Sequence, residues 1–330
     1  MSFGVGIIGC GLIGQKRAQF LGEGRLVACA DINKEKAKAL AQTNGAESFS
    51  DWRKLLTIPE VEIIFVSTLH ETLAEITLAA IEAGKHVLVE KPAARNLAEL
   101  APVMAAAEQS TVMIRVGFNH RYHHAFRKAR ELFESGQLGE LMFIRARYGH
   151  GGRLGYDKEW RANPKLSGGG ELIDQGSHLI DLSRWFLGEF IDVQGFAHTY
   201  YWNMPVEDNG FMLLRTAKNQ VAFLHASWTE WKNLFSMEIY GRDGKLDISG
   251  LGGSYGVERL THYKMLPQMG PPEIMVWEYP EADDSWAVEI AEFYDDIRMN
   301  RSPVVGLRDA YESLKVIQKI YKESGYDYNS

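Results

Sequence analysis

The chain has 330 residues, a length that suits two hydrophobic cores. Of these residues 45% are hydrophobic and 24% are charged, a composition typical of a folded globular protein. A formal charge of −7, with no block of Lys or Arg, argues against a nucleic-acid partner. No apolar stretch approaches the ~20 residues that cross a bilayer, and two cysteines provide no disulfide framework. We therefore expect a cytoplasmic protein without a membrane or nucleic-acid partner.

Short apolar runs alternate with helical patterns over the first 117 residues. Each run is apolar nearly throughout, as in strands that are covered on both faces. The predicted strands are 5–8, 26–30, 63–67, 86–89 and 112–117, and the predicted helices between them are 34–42, 73–83 and 97–108. This alternation predicts βαβ units and a parallel sheet.

The pattern changes after about residue 118. Helical spacing at 125–135 and 171–186 is followed by successive β-rich runs over 191–248, with a hairpin-type turn at 241–244. Two closing helices are predicted from apolar stripes formed by Trp286, Ile290, Phe293 and Ile297, and by Leu314, Ile317 and Tyr321. Segment 250–284 gives no clear pattern. We expect an α+β domain at 121–330 after a dinucleotide-binding domain at 1–120, with the C-terminal helix in a position to pack back on the first domain.

A glycine pattern lies between the first predicted strand and a predicted helix. Gly9, Gly11 and Gly14 form G-x-G-x-x-G, which suits a tight turn, close approach of a pyrophosphate and close helix packing. Asp31 follows the second predicted strand, where a carboxylate accepts hydrogen bonds from ribose hydroxyls and repels a 2′-phosphate. The pattern predicts NAD, with NADP disfavoured, and the alternative is a glycine-rich turn followed by a helix-capping aspartate.

Four segments together resemble the Gfo/Idh/MocA oxidoreductases, the group that includes glucose-fructose oxidoreductase and inositol 2-dehydrogenase. The segments are the glycine loop, "AGKHVLVEKP", "SGGGELIDQGSHLIDL" and "EFYDDIRMNRSPVVGLRDAYESLKVI", and the resemblance extends over nearly the whole chain. It implies a Rossmann domain followed by an α+β domain with an open, mainly antiparallel sheet, often used to form a homodimer or homotetramer. The resemblance also implies a cis peptide bond before Pro92.

The resemblance assigns three catalytic residues. The lysine of the EKP motif matches Lys91, and the acid and the histidine of a D-x-G-x-H motif match Asp174 and His178. On one helix, Asp174 and His178 would project from one face. We expect His178 to exchange the hydroxyl proton, Lys91 to stabilise developing negative charge and Asp174 to orient the substrate. The roles of Lys91 and His178 could be exchanged. Taken singly, His178 is better explained as a helix-capping or satisfied core histidine and Asp174 as an acid in the first turn of a helix; the combination with Lys91 and the glycine loop favours an active site.

Further residues are predicted to bind the cofactor or the substrate. His70 stands where relatives commonly carry an asparagine near the cofactor, and it either contacts NAD or caps the next helix. The remaining cofactor-binding predictions are Cys10, Leu12, Ile13, Thr68, Leu69, Glu90 and Asn119. Tyr122, Trp160 and Arg161 are predicted to contact substrate; the alternative for the last two is a loop anchor and a surface charge. Three neighbouring histidines, His120, His123 and His124, lack a second ligand set, so we predict no metal.

These features predict an enzyme that transfers hydride between NAD and a secondary or anomeric hydroxyl of a sugar, cyclitol or nucleotide-linked sugar. One alternative is a noncatalytic NAD-binding redox sensor. A sensor needs only the nucleotide fold, so the presence of Lys91, Asp174 and His178 together disfavours it. A redox-neutral reaction, in which the cofactor is recycled in place, also remains open. The sequence leaves the sugar, the direction of reaction and the choice between dimer and tetramer undecided.

Overall fold

The chain forms two compact units, one of residues 1–118 with 286–311 and one of residues 119–285 with 312–330. The computed structural model describes residues 2–328, so the two ends of the predicted domains, residue 1 and residues 329–330, lie outside the described residues. The first segment ends close to the predicted boundary at residue 120, and segment 286–311 groups with the first unit. Within residues 2–328, none of the helices is both long enough and apolar enough to cross a membrane.

Six parallel strands form the sheet of the first unit, in the order β3-β2-β1-β4-β5-β6. The elements up to residue 117 are β1 (Gly4–Ile8), α1 (Leu12–Gln19), β2 (Arg25–Ala30), α2 (Lys34–Asn44), β3 (Glu47–Phe49), α3 (Arg53–Leu56), β4 (Ile63–Val66), α4 (His70–Glu82), β5 (His86–Glu90), α5 (Leu97–Glu108) and β6 (Ile114–Gly117). The central strands β1 and β4 are buried at every position, as the apolar runs predicted. This is the strand order of the Rossmann fold.

An eight-stranded sheet dominates the second unit, in the order β14-β13-β12-β11-β7-β10-β9-β8. The remaining elements are α6 (His124–Glu134), β7 (Leu141–Gly149), α7 (Pro164–Ser167), α8 (Glu171–Asp174), α9 (Gly176–Leu187), β8 (Phe190–His198), β9 (Asn209–Thr216), β10 (Val221–Ser227), β11 (Leu234–Gly241), β12 (Gly244–Ser249), β13 (Glu258–Lys264), β14 (Glu273–Tyr279), α10 (Ser285–Arg298) and α11 (Leu307–Glu323). Every pairing is antiparallel except that of β7 with β10. The predicted fold class is therefore confirmed.

Three parts of the second unit differ from the sequence prediction. The central strand β7 was not predicted, and β13 and β14 lie in the segment that gave no clear pattern. The single helix predicted over 171–186 is wrong, because the structure has two helices, α8 and α9, that meet at Gln175. The His178 N–H donates to the Gln175 carbonyl, 3.1 Å away and three residues back, while the Ser177 hydroxyl donates to the Asp174 carbonyl. The tighter hydrogen bond marks the break in the regular helix.

Buried charges join α10 to the sheet of the first unit. The Arg17 guanidinium, fully buried on α1, donates to Glu90 at the end of β5, with Nε 2.8 Å from Oε1, and to Glu289 on α10. Burial raises the pKa of Glu289, and the charge of Arg17 opposes that rise. An apolar stripe packs alongside, since Ile290 and Phe293 are buried in the same core as β1 and β4. The predicted helix around Ile290 is thus confirmed.

Replacing Arg17 with methionine leaves two carboxylates buried without their cation. We expect Arg17→Met to lower the free energy of unfolding by about 3–5 kcal/mol in urea titrations, the usual cost of removing one partner of a buried pair. The control is Arg53→Met, because the pair of Arg53 with Glu75 is more than half exposed on both sides and is worth at most about 1 kcal/mol. Equal losses in the two variants would contradict this account of α10.

Candidate active site

The predicted cofactor residues of the first unit lie at one edge of its sheet. The glycine loop follows β1, Asp31 follows β2, Thr68 follows β4, and Lys91 follows β5. These four strands are neighbours in the order β2-β1-β4-β5, and all are parallel, so their carboxyl ends share one edge. The strand order reverses between β1 and β4, and open parallel sheets bind ligands at such a point.

The glycine loop has the shape that a pyrophosphate requires. Gly9 has φ +93°, and a Cβ there would lie 2.4 Å from the Ser67 carbonyl oxygen. A Cβ on Gly14 would lie 1.9 Å from the Gly9 carbonyl oxygen, so a side chain would push α1 away from the strand. At Gly11, which precedes the first turn of α1, a Cβ would meet no atom within 4 Å. The loop therefore leaves open space where the N–H groups of a helix start can receive an anion.

Asp31 is fixed beside this loop by two backbone groups. Its carboxylate accepts from the Cys10 N–H at 2.8 Å and from the Asn33 N–H at 2.7 Å. The Cys10 thiol is buried and donates to the Ala30 carbonyl, at the end of the neighbouring strand β2, at 3.5 Å. Asn33 also caps α2, since its side chain accepts from Glu35 N–H. Because Asn33 caps α2, the Asp31 carboxylate is not the helix cap, and it receives the Cys10 N–H of the glycine loop.

The other predicted cofactor residues of the first unit lie in or beside the same edge. Leu12 is 81% exposed on the first turn of α1, an unusual setting for a large apolar side chain, and Ile13 is partly buried next to it. His70 is the first residue of α4, behind Thr68 and Leu69, and Leu69 is the N-cap. His70 is therefore inside the helix, and its predicted contact with NAD stays a prediction. The peptide bond between Lys91 and Pro92 is cis, as the resemblance implied.

In the second unit, Asp174 and Arg161 form an ion pair. The Arg161 Nε donates to Asp174 Oδ2 at 2.8 Å, and the Trp160 ring lies against the guanidinium, 4.6 Å from its carbon. Burial lowers the pKa of Arg161, but the Asp174 carboxylate together with Tyr156 and Glu159 raises it, so the net pKa is raised. Folding therefore pairs Arg161 with a predicted catalytic residue, Asp174, so Arg161 is not simply a charge on the surface.

His178 lies on α9 against the imidazole of His120, which the sequence analysis considered only as a metal ligand. The His120 and His178 rings are stacked, with centroids 3.7 Å apart and planes inclined by 20°. Asn119 and Tyr122 are buried in the same 3-10 turn as His120, and the Asn119 amide donates to the Ser285 hydroxyl at 3.0 Å. Lys91 belongs to the first unit and His178 to the second, so their convergence stays a prediction.

The sequence analysis also missed Glu207, which holds the start of the segment that carries Asp174. The fully buried carboxylate accepts from the Gly170 N–H at 3.0 Å and the Leu172 N–H at 2.9 Å. The hydroxyls of Tyr321 and Tyr328 donate to it at 2.8 and 3.0 Å. An acid two residues before an apolar strand is a weak signal, because the same pattern is usual for an exposed turn.

Burial raises the pKa of Glu207 to about 7, against the opposing effect of its hydrogen bonds. Because the folded-state pKa lies above the ordinary value of 4.5, the folded protein holds the proton more tightly than the unfolded chain does between these pH values. Its contribution to stability is therefore present at low pH and is lost as the pH rises through about 7.

We expect the free energy of unfolding of the wild type to fall by about 3 kcal/mol relative to Glu207→Gln as the pH rises across this interval. Glutamine keeps the shape and a carbonyl oxygen for the backbone donors but cannot ionise. Urea titrations of both proteins at several pH values measure the difference. Parallel stability curves for the two proteins would show that the carboxyl group does not titrate in this way.

Comparisons with known proteins agree with this arrangement. Residues 3–118 match the oxidoreductase family with an NAD-binding Rossmann fold, and residues 126–247 match the GFO/IDH/MocA C-terminal domain. The chain is 32% identical over 192 residues to levoglucosan dehydrogenase of Pseudarthrobacter phenanthrenivorans. The aligned segment covers 57% of this chain and 49% of that protein. It is 30% identical over 227 residues to 1,5-anhydro-D-fructose reductase of Ensifer adhaerens, with 68% of each covered.

Two further matches extend over nearly the whole chain. Myo-inositol 2-dehydrogenase of Thermotoga maritima is 23% identical over 327 residues, with 94% of this chain and 92% of that protein covered. A solved structure of levoglucosan dehydrogenase in complex with NADH superimposes with a TM-score of 0.88 at 22% identity, covering 98% of this chain and 97% of that one. The structural likeness concerns the fold.

Proposed function

We propose that this chain, which belongs to the Gfo/Idh/MocA family of oxidoreductases, oxidises a secondary or anomeric hydroxyl of a sugar, cyclitol or nucleotide-linked sugar with NAD, or catalyses the reverse reduction. The observation that carries the proposal is the sheet edge where the glycine loop, Asp31 and Lys91 follow neighbouring parallel strands.

The residues of the first unit suit a dinucleotide. Gly9, Gly11 and Gly14 shape an open loop for the pyrophosphate, and the fixed carboxylate of Asp31 is suited to accept from ribose hydroxyls. The same carboxylate repels a 2′-phosphate, so we expect slower turnover with NADP than with NAD. A nicotinamide held here supplies the acceptor or the donor of the hydride.

Three side chains would handle the substrate. We assign the hydroxyl proton to His178, because an imidazole titrates near neutral pH. The Lys91 ammonium stabilises negative charge that develops on the substrate oxygen. Asp174, held by Arg161, accepts hydrogen bonds from substrate hydroxyls and keeps their orientation fixed.

The substrate class rests on the polar and aromatic groups around Asp174. Arg161 offers guanidinium donors, and the neighbouring Trp160 ring offers a face for the C–H groups of a sugar ring. The relatives named levoglucosan dehydrogenase, inositol 2-dehydrogenase and 1,5-anhydro-D-fructose reductase are named for rings of this kind. These names favour a catalytic role over a redox sensor.

Removal of the Lys91 ammonium tests the proposed chemistry. We expect Lys91→Ala to lower kcat at least about a hundredfold, since the charge acts where negative charge develops. The measurement is NADH formation from NAD with a panel of sugars and cyclitols, compared with Lys54→Ala, an exposed lysine of the same unit. Turnover by Lys91→Ala at the wild-type rate would refute the mechanism, and tight NAD binding without turnover of any polyol would favour a sensor.

We also propose that the outer face of the eight-stranded sheet joins copies of the chain into a homodimer or homotetramer. Phe196, Leu213 and Phe223 lie on the adjacent strands β8, β9 and β10 and are 72%, 46% and 51% exposed. Leu213 and Phe223 are cross-strand partners. An exposed apolar surface of this kind is typical of an interface between proteins.

Charges placed on this face should separate the copies. We expect Leu213→Glu/Phe223→Glu to shift the mass measured by light scattering toward that of one chain, because two carboxylates would be desolvated in the interface. Lys218→Glu, in the turn between β9 and β10, is the control. An unchanged mass for the double variant would place the interface elsewhere.

A further inference from the structure

The stacked rings of His120 and His178 cannot both carry a charge at low cost. Their centroids are 3.7 Å apart, and the two residues are buried. Two positive charges at this separation away from water repel strongly, so a proton on one ring opposes a proton on the other. The hydrogen bonds around the pair decide which ring takes it.

On one side, the Asn119 amide sets the state of His120 Nδ1. The Asn119 Nδ2 donates to the Ser285 hydroxyl at 3.0 Å, which turns the Asn119 Oδ1 toward His120 Nδ1 at 3.2 Å. With the amide in this orientation its oxygen only accepts hydrogen bonds, so Nδ1 of His120 carries the hydrogen.

On the other side, the Tyr148 hydroxyl sets the state of His120 Nε2. The Tyr148 ring packs edge-on against the Tyr255 ring, with centroids 5.4 Å apart, and the Gln175 Nε2 donates to the Tyr255 oxygen at 3.1 Å. The Tyr148 hydroxyl lies 3.2 Å from His120 Nε2. Burial raises the pKa of Tyr148 well above its usual value and that of Tyr255 to about 12, so both hydroxyls keep their protons.

The two hydrogen bonds of His120 have one direction. Tyr148 donates to His120 Nε2, so His120 receives at Nε2 and donates from Nδ1. In this state His120 is a neutral imidazole, and a second proton on it would require the Tyr148 hydroxyl to turn from donor to acceptor.

We propose that His120 is a positioning residue for His178, held neutral with its hydrogen on Nδ1, so that its ring fixes the plane of His178 and leaves His178 to take the proton of the pair. The proposal rests on the proposed function, since it assumes that His178 exchanges the substrate proton. It explains why a buried acid–base histidine lies against another histidine.

Charged groups of the second unit act on the Tyr148 hydroxyl that contacts His120. The carboxylates of Glu171 and Asp174 on α8 act on the neighbouring Tyr148 hydroxyl and raise its pKa, after the larger effect of burial. Two further ionisable side chains of this unit are His123, whose ring is 5.4 Å from that of His120 and pairs with Glu258 at 3.2 Å, and Arg161, which pairs with Asp174. β11 contributes an apolar ring, Phe235.

The direct test is the protonation state of the two rings in the full-length protein. Long-range proton–nitrogen NMR spectra of protein labelled with 15N in histidine, recorded between about pH 5.5 and 8.5, separate the tautomers and follow titration. The variants His120→Gln and His178→Gln assign the signals. We expect His120 to keep one hydrogen, on Nδ1, throughout, while His178 titrates. A hydrogen on Nε2 of His120, or titration of His120 in this range, would overturn the proposal.

Removing the Tyr148 hydroxyl should release His120. In Tyr148→Phe we expect His120 to titrate and the pKa of His178 to fall by at least about one unit, because the rings then compete for a proton. The double variant Tyr148→Phe/His120→Phe keeps an aromatic ring in the stack without a titratable group, so it should restore the pKa of His178. If the shift persists in the double variant, His120 does not act on His178. Tyr240→Phe, on β11, is the matched control and should leave both rings unchanged.

Kinetics separate this proposal from the proposed function. We expect the acid limb of the kcat profile to move in Tyr148→Phe and to return in the double variant, with little change in KM. If His178→Gln loses turnover but the acid limb does not move in Tyr148→Phe, the role of His120 is refuted. The proposed function is unaffected by that result. The NMR titrations require no turnover, so they decide the state of His120 even if no substrate is found.

Discussion

The cost of burying a charge without a partner governs how the predicted site residues are held. Such a charge costs several kcal/mol, so each is met by an opposite charge or by N–H and O–H donors of its own unit. Arg17 holds Glu90 beside Lys91, and Arg161 holds Asp174. Glu207 uses two backbone N–H groups and two phenols instead of a cation. The buried acids at the predicted site are therefore fixed by partners that folding supplies.

The break between α8 and α9 has a consequence for the site. On a continuous helix, Asp174 and His178 would share a face by spacing alone. In the structure each is oriented by its own partner, Asp174 by the Arg161 guanidinium and His178 by the ring of His120. The two groups can therefore be tuned separately, one by an ion pair and the other by a stack of imidazoles.

Much of the nucleotide half follows from local pattern. Apolar runs on both sides of the glycine loop indicate buried parallel strands, and parallel strands place their carboxyl ends at one edge. The positions of Gly9, Asp31 and Lys91 at that edge could be predicted for this reason. Glu207 and His120 could not, because their partners come from distant segments and an acid or a histidine in a turn carries no signal of burial. Strand β7 was missed although its inward residues alternate, since it is central in a sheet whose neighbours come much later in the chain.

The sequence by itself determined the fold class, the family and the residue types at the predicted site, because periodicity and short motifs are local properties of the chain. Tertiary structure decided which buried groups meet: Arg17 with Glu289, separated by 272 residues, and Tyr321 with Glu207, separated by 114. It also set the charge state that each group can hold, since the pKa of a buried side chain depends on the neighbours that folding brings to it and not on its neighbours in sequence.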